Sequence, residues 1–123
     1  MAKILMVDDD KEFLEAGKAV LESKGHDIFL ACDVQIAEEE ISNKSFDIIF
    51  LDIMMKNADD GIDLARRLKK KGIKIPIVML SGVSKVTGYE YGKCNEVLPC
   101  TDFLEKPVSP QQLINKVDKI LKK

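Results

Sequence analysis

The chain has 123 residues, 46% of them hydrophobic and 33% charged, which is the profile of one soluble globular domain and not of a disordered chain. It carries 19 Lys and Arg against 21 Asp and Glu, a net charge of −2, without the basic excess of a nucleic-acid-binding domain. No apolar run approaches the ~20 residues of a membrane span. The start, Met1 to Asp10, lacks the apolar core and cleavage site of a signal peptide, so a cytoplasmic location is expected.

Lys3 to Val7 is a short apolar run that reads as a buried strand and leads into Asp8-Asp9-Asp10. Asp10 is placed to cap a helix, in which Phe13, Ala16, Gly17, Val20 and Leu21 recur at helical spacing and which Gly25 ends. Asp27 to Ala31 is a second strand. Asp33 caps a second helix, with Ile36, Ala37 and Ile41 inward. Phe46 to Leu51 is a third strand, apolar almost throughout, as expected of a central strand covered on both faces. Gly61 to Lys71 is a third helix ending in an exposed basic run, and Gly72 lies beyond its end. Ile75 to Leu80, with Pro76 near its start, is a fourth strand. A further helix is expected between Gly82 and Pro99, where local propensity supports it poorly. Thr101 to Leu104 is a fifth strand. Ser109-Pro110-Gln111-Gln112 opens the last helix, with Ser as N-cap, Pro at the first position and Gln completing a capping box. Leu113, Val117, Ile120 and Leu121 form its inner stripe.

This alternation predicts a single three-layer α/β domain over residues 1–123: a parallel sheet with right-handed crossovers and helices on both faces. Such sheets bind ligands beyond the carboxyl ends of their strands. At those ends stand Asp8 and Asp9, Asp52, Ser81 and Lys106. Carboxylates gathered within a few ångströms repel, and at neutral pH they call for a cation or for protons. Mg²⁺ suits one or two carboxylates completed by waters and a phosphate. A lysine supplies a compact positive charge to a phosphoryl oxygen, a serine supplies a hydroxyl, and a remaining aspartate is a competent nucleophile toward phosphorus.

Four segments, Ile4 to Asp10, Ile48 to Asp52, Ile75 to Gly82 and Asp102 to Pro107, together resemble the receiver domains of two-component response regulators. The resemblance implies a chemotaxis-type, flavodoxin-like (βα)5 fold with a five-stranded sheet of order 2-1-3-4-5. It implies Asp52 as phosphoacceptor, and Mg²⁺ held by Asp8, Asp9, Asp52 and the backbone carbonyl of Met54. Ser81 and Lys106 would contact the phosphoryl group, and Ser81 with Phe103 would form the switch. Met54 and Val83 stand where the family tunes the lifetime of its phosphoryl group; both are apolar, which implies slow hydrolysis. The implied partners are a sensor histidine kinase or phosphotransfer protein and a downstream protein, with neither nucleic acid nor membrane contacted directly. The implied states are a monomer or a phosphorylation-dependent dimer, and no enzymatic turnover beyond self-catalysed phosphotransfer and autodephosphorylation.

Two departures stand out. Lys56 replaces the proline the family places after its acceptor, with one extra residue before Gly61, and the span from Ser81 to Lys106 is longer than usual. Two alternatives stay open at this stage. Asp8-Asp9-Asp10 mimics the opening of a haloacid-dehalogenase-type phosphatase, although Glu12 stands where that family has threonine. A pseudo-receiver would use the same fold without phosphorylation. Cys32, Cys94 and Cys100 lack C-x-x-C spacing and read as small reduced apolar residues, and His26, the one histidine, reads as a surface residue.

Overall fold

The structure is a computed structural model that describes residues 2–53, 60–81, 102–105 and 108–122, without the side chains of Ser81, Phe103 and Lys122. The described elements run β1 (Lys3–Val7), α1 (Lys11–Glu22), β2 (Asp27–Ala31), α2 (Val34–Asn43), β3 (Ile48–Asp52), α3 (Asp60–Lys70), β4 (Ile77–Ser81), β5 (Asp102–Glu105) and α4 (Pro110–Lys122). The helix expected between Gly82 and Pro99 lies outside the described residues. The five strands form one parallel sheet of order β2-β1-β3-β4-β5, as the resemblance implied.

Strand alternation divides the core in two. Leu5, Val7, Ile49, Leu51 and Met79 face α2 and α3, where they meet Ala37, Ile41, Ile62, Ala65 and Leu68. Ile4, Met6, Ile48, Phe50, Val78 and Leu80 face α1 and α4, where they meet Leu14, Leu21, Leu113 and Val117. All five residues of β3 are buried, which is why its sequence is apolar until Asp52.

The helix ends follow their local chemistry. Asp10 Oδ1 accepts the Glu12 and Phe13 amides at 3.1 and 3.2 Å, and Asp33 Oδ1 accepts the Ile36 amide at 2.8 Å. At α4 the capping box is reciprocal: the Gln112 amide donates to Ser109 Oγ at 3.2 Å, and the Ser109 amide donates to Gln112 Oε1 at 2.8 Å. Gly25 and Gly72 take positive φ, of 89° and 83°, where the chain turns out of α1 and α3.

The helix faces differ from expectation in detail. In α1 Leu14 is buried and Ala16 exposed. Ile36 in α2 and Leu121 in α4 are each 38% exposed. Each is next in sequence to a core-facing or half-buried neighbour, and the 100° step between them carries it off the stripe. Pro76 precedes β4: its carbonyl accepts the Ile49 amide at 2.9 Å, and the strand begins at the next residue, which has an amide to give. Cys32 is exposed instead of packed. His26 is half-buried, and its Nδ1 accepts the Ala2 amide at 3.1 Å, tying the start of β1 to β2.

Candidate functional site

Pairing brings the carboxylates together. Val7 is level with Leu51, so Asp8 and Asp52 leave adjacent strands at the same height on the carboxyl edge of the sheet. Asp52 is level with Leu80, which sets Ser81 one step beyond it, and Ser81 is in turn level with Glu105. Lys106 follows Glu105 in sequence but lies outside the described residues, as does Met54. The side chains of Ser81 and Phe103 are likewise undescribed.

Asp8 is fully buried, at 0% exposure, and Asp52 nearly so, at 4%. The Asp8 amide extends the β1–β2 ladder by donating to the Ala31 carbonyl at 3.1 Å, and Asp8 Oδ1 accepts the Asp10 amide at 2.9 Å. The carboxylate that caps α1 is therefore itself positioned by its neighbour two residues back. Asp9, between them, faces solvent. One carboxylate oxygen from each of Asp8, Asp9 and Asp52 falls within 4.8 Å of the others. Two buried acids and one exposed acid at that separation form an all-oxygen donor set, which suits a hard divalent cation that retains water ligands.

The chain after Asp52 is fixed by a contact that sequence inspection did not assign. Ile53 donates its amide to the Leu80 carbonyl at 3.0 Å, and Gly61 donates its amide to the Ile53 carbonyl at 2.8 Å. A Cβ on Gly61 would overlap the carbonyl oxygen of Asp52 and come within 2.7 Å of Ile53 Cα. The first turn of α3 thus presses on the backbone that carries the strand-end aspartate. The only trace of this in the sequence is a glycine in a helix, where glycine is disfavoured unless close approach requires it.

Comparison with known proteins bears on the same edge of the sheet. Residues 4–118 match the family described as response regulator receiver domain. The chain belongs to the response regulator receiver family. It is 31% identical to the alkaline phosphatase synthesis transcriptional regulatory protein PhoP of Bacillus subtilis (strain 168), a match covering 98% of the chain and 49% of PhoP. The chain therefore spans about half the length of that relative. Among solved structures, the receiver domain of the Francisella response regulator 1452 superposes with a TM-score of 0.84 at 32% identity, covering 99% of this chain and 98% of that one. A two-component response regulator from Clostridium difficile gives a TM-score of 0.79 at 27% identity, covering 100% and 98%. These relatives favour neither the phosphatase nor the pseudo-receiver alternative.

In this receiver domain, α2 and α3 are joined beside the acidic edge. Arg67 Nε and Nη2 donate to the two Glu38 carboxylate oxygens, each at 3.1 Å, and Lys71 Nζ lies 3.7 Å from Glu38 Oε2. The hydrogen bonds from Arg67 hold the Glu38 carboxyl below its ordinary range, and the same pairing raises Arg67. Arg67 stays charged throughout, so only Glu38 gives the clamp a pH dependence. Because the Glu38 value is lowered by folding, its contribution is complete above the ordinary glutamate range and is lost as the pH falls through the lowered value. The pair is partly exposed, so the contribution is at most about 1 kcal/mol. Urea titrations of wild type and Glu38→Gln should differ by that amount at neutral pH and converge in acid; a difference that is constant with pH would exclude the clamp as its source.

Proposed function

We propose that residues 1–123 act as a phosphoacceptor domain in which Asp52 takes a phosphoryl group from a kinase phosphohistidine. The observation that carries this reading is the near-complete burial of Asp52 beside Asp8 and Asp9, with one oxygen of each within 4.8 Å of the others. A carboxylate oxygen of Asp52 attacks phosphorus and forms the acyl-phosphate O–P bond. The P–N bond to the donor histidine breaks, and the imidazole leaves with the electron pair and takes up a proton. Asp8, Asp9, Asp52 and the Met54 carbonyl would hold Mg²⁺, which when bound offsets the charge of the carboxylates and of the incoming phosphoryl oxygens. Burial of Asp8 and Asp52 keeps both carboxylates largely out of bulk water. Ser81 and Lys106 would meet the remaining phosphoryl oxygens, with Ser81 and Phe103 passing the change to a protein-binding surface. The partners are then a sensor kinase or phosphotransfer protein upstream and a protein target downstream, in the cytoplasm. Among the described residues no helix is long and apolar enough to cross a membrane.

The test is intact mass after incubation with acetyl phosphate and Mg²⁺. A phosphate-sized gain in the wild type, absent without Mg²⁺ and absent in Asp52→Asn, is the expected result. No gain, with acetyl phosphate or with a phosphorylated kinase, would mark a pseudo-receiver. Steady release of free phosphate that depends on Asp8 and not on Asp52 would mark a phosphatase.

A further inference from the structure

Of the consecutive aspartates that follow β1, Asp8 and Asp9 join Asp52 in the group of carboxylates, and Asp10 is not one of that group. We propose that Asp10 is a positioning residue for the cation site: by capping α1 it holds the turn that sets Asp8 and Asp9. This inference rests on the reading of Asp8, Asp9 and Asp52 as that site.

Asp10 is held through its amide, its carbonyl and its side chain. The amide donates to Asp8 Oδ1 at 2.9 Å, the carbonyl accepts the Leu14 amide at 3.1 Å, and Oδ1 accepts the Glu12 and Phe13 amides at 3.1 and 3.2 Å. One turn closed by an aspartate side chain, from Asp8 to Asp10, therefore leads directly into another, from Asp10 into α1. Asp9 is enclosed by the first turn, so the bond that orients the Asp8 carboxylate also sets the backbone that carries Asp9. Asp8 is buried, and its own amide is tied to β2 through the Ala31 carbonyl at 3.1 Å. That gives its carboxylate a fixed base, and the bond from the Asp10 amide restrains its rotation. Crowded carboxylates repel, so in the metal-free chain the turn is held against an opposing force. Loss of an aspartate cap shifts a local helix-start equilibrium by about fivefold. The apparent affinity of a ligand falls with the fraction of chains in the binding-competent form. Asp33 is the matched case of a cap outside the group of carboxylates: its Oδ1 accepts the Ile36 amide at 2.8 Å at the start of α2.

The test is calorimetric titration of the full chain with MgCl₂ in about 0.5 M KCl, where a Debye length of about 4 Å mutes the effect of removing a charge. Asp10→Ala is compared with Asp10→Asn and Asp10→Ser, which keep a capping oxygen without the charge. It is also compared with Asp33→Ala, which removes the same charge and a cap from α2. The expected result is Mg²⁺ binding about fivefold weaker in Asp10→Ala, and within about twofold of the wild type in the other variants. Melting temperatures recorded in chelator should fall in both alanine variants, so lost stability is common to them and lost affinity is not. Wild-type affinity in Asp10→Ala would overturn the positioning role and leave the metal site standing. Weakening shared by Asp10→Asn and Asp10→Ser would overturn it in favour of charge alone. Weakening shared by Asp33→Ala would overturn it in favour of a general loss of stability. A wild type that binds no Mg²⁺ would overturn the site and the positioning role with it. If circular dichroism shows Asp10→Ala unfolded, Asp10→Gly carries the test, since glycine removes the same side-chain bonds at little cost to the helix. About fivefold weakening is then expected, and none would overturn the proposal.

Discussion

Gly61→Ala is expected to lower the stability of this receiver domain by about 3 kcal/mol, at the top of the range for overpacking, and to suppress phosphate uptake by Asp52. The added methyl has nowhere to go, since its nearest neighbours are backbone atoms of Asp52 and Ile53. Relief requires α3 to withdraw, which breaks the bond from the Gly61 amide to the Ile53 carbonyl and shifts the peptide that carries Asp52. For a chain of this length the change corresponds to a fall in Tm of about 10 °C or more. Gly17→Ala is the matched control. There the added methyl meets the terminal Met6 methyl at 2.6 Å, the free end of a flexible side chain that can turn aside. Its cost should stay near or below about 1 kcal/mol. Thermal melts of both variants, read beside intact-mass phosphorylation, check the contrast. Equal melting temperatures for Gly61→Ala and wild type would show that the approach of α3 to Asp52 is not tight.

Asp8→Asn should have opposite effects on stability and on function. Asparagine retains Oδ1 as acceptor for the Asp10 amide and removes one negative charge from three crowded carboxylates. In metal-free buffer the variant should be about 1–3 kcal/mol more stable than the wild type, because a functional cluster of like charges is held together at the expense of the fold. With Mg²⁺ at ten to a hundred times its dissociation constant, the wild type should gain about 1.4–2.7 kcal/mol by mass action, while the variant gains little. Denaturant titrations with chelator and with Mg²⁺ would give all four values. A variant less stable than wild type in chelator would show that repulsion is not the dominant force at the cluster.

The placement of these residues was legible wherever local chemistry governs it. Val7 and Leu51 end apolar runs that close on aspartate, and such runs become central parallel strands whose ends meet at one edge. The caps at Asp10, Asp33 and Ser109 depend on atoms two or three residues away, and all three follow the sequence pattern. What was not legible depends on distance through space. Gly61 could be read as part of a helix, but its contact with the Asp52 carbonyl depends on how α3 lies against β3. Glu38 and Arg67 are 29 residues apart, and nothing local pairs them. The choice between Ile36 and Ala37 for the core turns on the rotation of α2 about its axis, which a pattern of apolar spacing leaves open by one residue.

Every residue of β3 is buried, and the strand lies between β1 and β4 with a separate apolar cluster on each side. Opening it requires both clusters to come apart, so its amides should exchange with deuterium only when the whole domain unfolds. Asp52 is thus borne by a strand expected to open only with the domain as a whole. A reaction there cannot be signalled by movement of the strand that bears it. An exchange profile recorded before and after the proposed phosphorylation of Asp52 should leave Ile48 to Leu51 unchanged.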